Sequence, residues 1–223
     1  MYSFAQRADT RVFDEPFYAH YLACTPARGY HPGAEEVLAS QNQDGVVVVR
    51  DVILGPCDCP VAFFKQMTHH LVDLDLQFLR QTVNVILTRD PVDMLPSYAQ
   101  HVETPGLRDT GYPQALELLE ELLRIGQVPA ILDARQTLRD PRSVLGQLCQ
   151  YMGIDFEEAM LSWEARARPE DGVWATHWYG NLHRSTGFQP YSPKTSPFPT
   201  KLLPLLQACE PLYDQLVARS IRP

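Results

Sequence analysis

The sequence predicts an α/β domain built on a mostly parallel sheet. Three observations point there. "TVNVILT" at 82–88 and "VPAILDA" at 128–134 are apolar runs with little alternation, the pattern of strands covered on both faces in a parallel sheet. Between them, "YPQALELLEELLRIG" at 112–126 repeats its apolar residues at helical spacing and stops at Gly126. Strands alternating with amphipathic helices call for crossover connections.

Taken in order, residues 1–8 read as the tail of a helix, and "RVFD" at 11–14 as a short strand. Pro16 suits a first helical position, so a helix over 16–22 follows. "GAEEVLAS" is a second short helix. "DGVVVVRDVIL" is ambiguous, because its β-branched run favours a strand while Val48, Val52 and Leu54 also share a helix face. "VAFFK" at 61–65 is a strand stopped by Lys65. Asp90 and Pro91 supply an N-cap and a first residue for a helix over 91–100. "DPRSVLGQLCQYMG" at 140–153 is a helix with an Asp cap, closed by Gly153. Beyond 154 the alternation fades into a segment holding all three tryptophans. A Pro/Ser-rich link over 190–200 then leads to a last helix over 200–218, so 1–223 reads as one domain with no internal repeat.

The chain has 223 residues, 45% of them hydrophobic, which suffices for one full core. Its formal charge is −8, and it shows no basic run, which argues against duplex nucleic acid or an anionic membrane as partner. No apolar run is long enough to span a bilayer, and "MYSFAQRADT" lacks a signal pattern. The five cysteines, Cys24, Cys57, Cys59, Cys149 and Cys209, fit a reduced, cytoplasmic chain with small buried thiols better than a disulfide framework or a zinc knuckle. His69 and His70 with Asp73 and Asp75 are a poor metal set, since adjacent histidines point in different directions, so no metal is expected.

The stretch "NVILTRDPVDMLPSYAQH" carries the functional signal. Ligands of open parallel sheets sit at the carboxyl ends of strands, and Arg89 stands at such an end beside the start of a helix. Ser97 follows eight residues later, two turns along that helix. A guanidinium and a hydroxyl so placed suit a phosphate. An arginine there also serves as a surface residue or as a partner for Asp90 or Asp93.

"RDPVDMLPS" resembles, in order and spacing, the element of sulfotransferases that holds the 3′-phosphate of 3′-phosphoadenosine 5′-phosphosulfate. "DEPFYAHYL", "HPGAEEVL", "KQMTHHL", "AMLSW", "DGVWATHWY" and "STGFQPY" extend the resemblance to about residue 191. Together they are similar to the sulfotransferase-like group found in bacteria, and in plants fused to an aminotransferase-like domain. The resemblance implies a three-layer P-loop-type fold around a central, mostly parallel sheet. It also implies a strand and phosphate loop ahead of the residues matching "YSFAQR", so the chain is expected to be N-terminally truncated relative to the family. A misplaced start or a truncation is preferred to a genuine short form, because a missing central strand leaves unpaired edges.

By the same resemblance, Arg89 and Ser97 bind the donor's 3′-phosphate. Arg184, with Ser185 and Thr186 in "HRSTGF", is a further donor contact. Sulfuryl transfer needs a base near the acceptor oxygen and positive charge on the bridging and leaving oxygens. Glu15 is the first choice of base, with Asp14 its neighbour and alternative; a first-turn acid complementing a helix dipole is the structural reading. Lys65 ends a strand that in better-known cytosolic sulfotransferases continues to a histidine two residues on, where this chain has Met67. His69 and His70 come later and remain candidates for touching the acceptor or the leaving phosphate. Trp163, Trp174, Trp178 and Tyr179 line a pocket or fill core, and His20 and Tyr21 are candidate pocket residues. The function so implied is sulfuryl transfer to a small-molecule hydroxyl or amine acceptor. The alternatives are a ligand-binding protein that lacks the phosphate loop and, last, an unrelated phosphate-ester enzyme.

Overall fold

A computed structural model describes every residue except Lys194, which belongs to the Pro/Ser-rich link and lies outside the described residues. The chain packs as two units, Met1–Gln81 with Glu157–Phe188, and Thr82–Phe156 with Gln189–Pro223.

The first unit opens on a single turn of 3-10 helix, Phe4–Gln6, rather than the helix tail expected over 1–8. Strand β1 (Thr10–Asp14) leads to helix α1 (Tyr18–Cys24), and helix α2 (Ala34–Ser40) follows. The ambiguous valine run is helical: α3 (Gly45–Val48) runs into one turn of π-helix, Val49–Ile53. Asp44 decides it, because its carboxylate accepts the N–H groups of Val46 and Val47 and caps the helix. Strand β2 (Val61–Lys65) then pairs in parallel with β1, in a register that sets Asp14 beside Lys65. Tyr18, Ala19, Leu22, Val37, Leu38 and Trp174 form a buried cluster in this unit.

In the second unit, strand β3 (Val85–Thr88) is followed by α4 (Pro91–Tyr98) and α5 (Tyr112–Arg124). Strand β4 (Ala130–Asp133) pairs with β3 in parallel. Asp133 caps a helix absent from the sequence reading, α6 (Ala134–Arg139), by accepting the Gln136 N–H. Helix α7 (Pro141–Met152) begins at its Asp140 cap and closes at Gly153, whose φ of 71° is the left-handed value that suits glycine. The chain returns to the first unit for the four-residue α8 (Ala175–Trp178) and ends in the second with α9 (Leu203–Val217). Tyr112, Ala115, Leu119 and Leu122 of α5 are buried at the helical spacing read in the sequence.

Two corrections concern the sheet. The described strands form two separate parallel pairs, not one central sheet. Nor is β3 covered on both faces: Ile86 is buried, whereas its neighbour Leu87 is 67% exposed and Val83 60%. An apolar strand sequence states which residues prefer burial, not whether another layer arrives to bury them. All five cysteines are free thiols, with Cys149 and Cys209 buried. No described helix is long and apolar enough to cross a membrane.

Candidate functional site

The carboxyl ends of β1 and β2 place Asp14, Glu15 and Lys65 in one network, which Tyr179 joins from the residue after α8. The ladder continues one residue past the strands, where the Glu15 N–H donates to the Lys65 carbonyl at 2.7 Å. Glu15 then turns into the left-handed region at φ 43°, which few residues other than glycine adopt. Its carbonyl accepts the Tyr18 N–H at 3.0 Å and the Gln41 amide at 3.1 Å, so the turn is pinned on both sides. Backbone strain of this kind persists where the surroundings over-determine it, as at binding and catalytic positions.

The turn brings Glu15 onto Lys65. The Lys65 ammonium donates to Glu15 Oε1 and, at 2.9 Å, to the Tyr179 hydroxyl, and stands 3.6 Å from Asp14 Oδ1. Tyr179 in turn donates its proton to Asp14 at 2.8 Å. The Gly172 N–H reaches the other Asp14 oxygen at 3.4 Å. Asp14 is fully buried at its side chain, Glu15 8% exposed and Lys65 29% exposed. One ammonium and one phenol thus hold two buried carboxylates. Burial draws Lys65 below the ordinary lysine range, and the facing Asp14 opposes that shift. Burial, then the Asp14 charge, push the Tyr179 phenol well above its usual range.

His70 lies against the same carboxylate. Its ring stacks between Tyr18 and Tyr21, each with centroids 4.7 Å away, and it is 1% exposed. His70 Nδ1 sits 3.8 Å from Glu15 Oε2 and has no hydrogen-bond partner among the described residues. Burial first, then the nearby His69 and Lys65, hold His70 well below the ordinary histidine value, so it is neutral at neutral pH. His69 is half-buried, edge-on to Tyr21 at 5.1 Å and to His70 at 4.8 Å.

A pH dependence follows for His70. Above about 6.5 the folded and unfolded chains are both neutral there. Below it, the unfolded chain takes up a proton that the folded one resists, so stability falls, by at most about 1.4 kcal/mol per pH unit. His70→Gln is expected to flatten that slope, read as the difference in urea midpoint between about pH 7 and about pH 5. An unchanged slope contradicts the assignment.

The rest of the aromatic set is largely structural. Trp174 is buried, and Trp163 donates to Ser185 Oγ at 2.9 Å. His20 accepts the Gly45 N–H at Nδ1 and donates from Nε2 to the Val72 carbonyl at 2.8 Å, which makes it a satisfied core histidine. Arg184 is exposed and donates to Asn181 Oδ1 at 2.7 Å. Two residues escaped the sequence reading. Tyr179 read only as one aromatic among four, although its hydroxyl bridges Lys65 and Asp14. Gln66 was passed over, yet both polar atoms of its amide are buried with no partner among the described residues.

In the second unit, Asp90 accepts the Val92 N–H at 2.8 Å, the cap expected from sequence, while its other oxygen receives Arg135. Arg89 follows β3 and is exposed; its carbonyl accepts the Tyr112 hydroxyl. It lines a cavity of about 210 Å³ together with Asp93, Arg135, Leu138, Tyr191 and Ser192. Ser97 is exposed in the last turn of α4 and is not among the lining residues. No group of three or more His, Cys, Asp or Glu side chains able to hold a metal ion occurs among the described residues.

Residues 1–220 match the sulfotransferase domain family. The chain belongs to this family. The sulfotransferase domain match takes in both units, so Glu15, Lys65, His69, His70, Arg89, Ser97 and Arg184 all fall within it. Branched-chain-amino-acid aminotransferase-like protein 2 of Arabidopsis thaliana is 39% identical over 219 residues, covering 97% of this chain and 38% of the relative. Branched-chain-amino-acid aminotransferase-like protein 1 of the same plant is 39% identical over 220 residues, covering 97% of this chain and 39% of the relative. This sulfotransferase domain thus spans about two fifths of the length of the curated relatives it matches. No solved structure gives a significant match.

Proposed function

We propose that this chain transfers a sulfuryl group from 3′-phosphoadenosine 5′-phosphosulfate to a hydroxyl or amine acceptor on a small molecule. The observation that carries the reading is the buried Glu15–Lys65–Tyr179–Asp14 network at the ends of two parallel strands, in a member of the sulfotransferase domain family. In this reaction the acceptor oxygen or nitrogen bonds to sulfur as the bond from sulfur to the donor's phosphate oxygen breaks. Glu15 takes the acceptor's proton, and the Lys65 ammonium meets the charge that develops on the leaving phosphate oxygen. Tyr179 and Asp14 hold Lys65 in place. His70, neutral and stacked between two tyrosines, packs beside Glu15, with its Nδ1 3.8 Å from the second carboxylate oxygen. Arg89 and Ser97 are assigned to the donor's 3′-phosphate, with Arg184 a further donor contact.

Calorimetry with adenosine 3′,5′-bisphosphate tests the donor. Wild type is expected to bind, and Arg89→Ala to weaken binding about 10- to 100-fold, the worth of a hydrogen bond to a charged group. Equal affinities remove Arg89 from the site. Binding without release of bisphosphate from the donor, across a panel of phenols, alcohols and amines, marks a nucleotide-binding protein rather than an enzyme.

A further inference from the structure

The cavity beside Arg89 contains a second arginine that the sequence did not single out. Arg135, on the first turn of α6, spends one end of its guanidinium on Asp90, and the same Nη2 lies 4.0 Å from Asp93. Its Nε is buried and has no hydrogen-bond partner among the described residues. The ring of Tyr191 lies against it, with the Arg135 Cζ 5.1 Å from the centroid and the Arg139 Cζ 5.7 Å away. Three guanidiniums (Arg89, Arg135 and Arg139) therefore stand near two carboxylates (Asp90 and Asp93), leaving one positive charge in excess. Asp90 already spends its oxygens on the α4 cap and on Arg135.

A guanidinium has five N–H donors in a fixed fork, and a buried donor left unmet on a residue that lines a cavity calls for an acceptor. We infer that Arg135 is a specificity-determining residue for a phosphate group bound in this cavity, donating from Nε while Nη2 keeps Asp90 in place and Tyr191 fixes the plane of the guanidinium. The inference rests on the proposed anion role of Arg89 and adds to it a second, planar contact. Arg135 thereby links the ligand to the Asp90 cap, so the anion site and the start of α4 form one assembly. A phosphate monoester presents enough oxygens to engage both arginines; a carboxylate has only two.

Two probes and three variants separate the possibilities. Inorganic pyrophosphate and adenosine 3′,5′-bisphosphate are each titrated into wild type, Arg135→Lys, Tyr191→Leu and Arg89→Ala. Arg135→Lys keeps a cation for Asp90 and lacks the Nε donor; it is expected to lose about tenfold in affinity for both probes with an unchanged thermal midpoint. Tyr191→Leu leaves the Arg135–Asp90 pair intact and is expected to lose severalfold. Wild-type affinity in Arg135→Lys overturns the inference, and Arg89→Ala then judges the donor reading alone. Pyrophosphate binding that depends on Arg135, with no binding of the nucleotide, supports this inference and sinks the donor reading. No binding of either probe to wild type overturns the inference as well.

Discussion

Lys65→Met is expected to lower the free energy of unfolding by about 3–5 kcal/mol. The Lys65 ammonium pairs with the buried Asp14 and Glu15 carboxylates, and it also donates to Tyr179. Removing one partner of a buried ion pair strands the other without water to solvate it, which costs far more than the pair gains over an apolar replacement. The measurement is urea unfolding of Lys65→Met beside the double variant Asp14→Asn/Lys65→Met. The double variant removes one stranded charge and is expected to recover part of the loss, so the two substitutions are not additive. A single variant within about 1 kcal/mol of wild type gives Lys65 the value of a surface pair and rejects the network as a structural unit.

Glu15→Gln is expected to lower turnover by about 10²- to 10⁴-fold, the usual range for loss of a positioned proton acceptor. The amide keeps the side chain's size and can still accept from Lys65. Affinity for adenosine 3′,5′-bisphosphate is expected to stay at the wild-type value, because the assigned 3′-phosphate contacts lie on other elements. The readout is release of bisphosphate from the donor with whichever acceptor supports turnover. Turnover within about threefold of wild type discards Glu15 as the base, since a tenfold change corresponds to only 1.4 kcal/mol of barrier. Loss of turnover and nucleotide binding together points instead to a collapsed turn at φ 43°.

Local chemistry was legible in the sequence, and layering was not. Asp90, Pro91, Asp140 and Gly153 act where their residue types say, because a cap or a left-handed stop is settled within one helical turn. The amphipathic face of α5 was readable for the same reason. The valine run over 46–49 misleads when weighed by β-propensity alone, and Asp44, two residues earlier, was the deciding signal. Leu87 was expected to be covered because its strand is apolar, yet exposure depends on which element packs above it, and no residue of the strand encodes that.

The site divides in the same way. Asp14 and Lys65 each end a short strand, the parallel register sets them side by side, and Glu15 follows one residue on. Tyr179 joins them across a sequence separation of 114 residues from Lys65, from a region where the strand–helix alternation has lapsed. Arg135 was hidden for another reason. The run "ILDARQTL" reads as the end of a strand, and only the Asp133 cap turns it at once into helix and aims an arginine back toward Asp90.

The left-handed backbone at Glu15 has a consequence for anyone who engineers this protein. Glycine or asparagine takes φ 43° with less strain than glutamate but lacks the carboxylate that Lys65 meets, so relief of the backbone and loss of a buried ion pair oppose one another at this position. A ranking on heat resistance therefore carries no information about the proposed base, and residue 15 is best held fixed in any such screen.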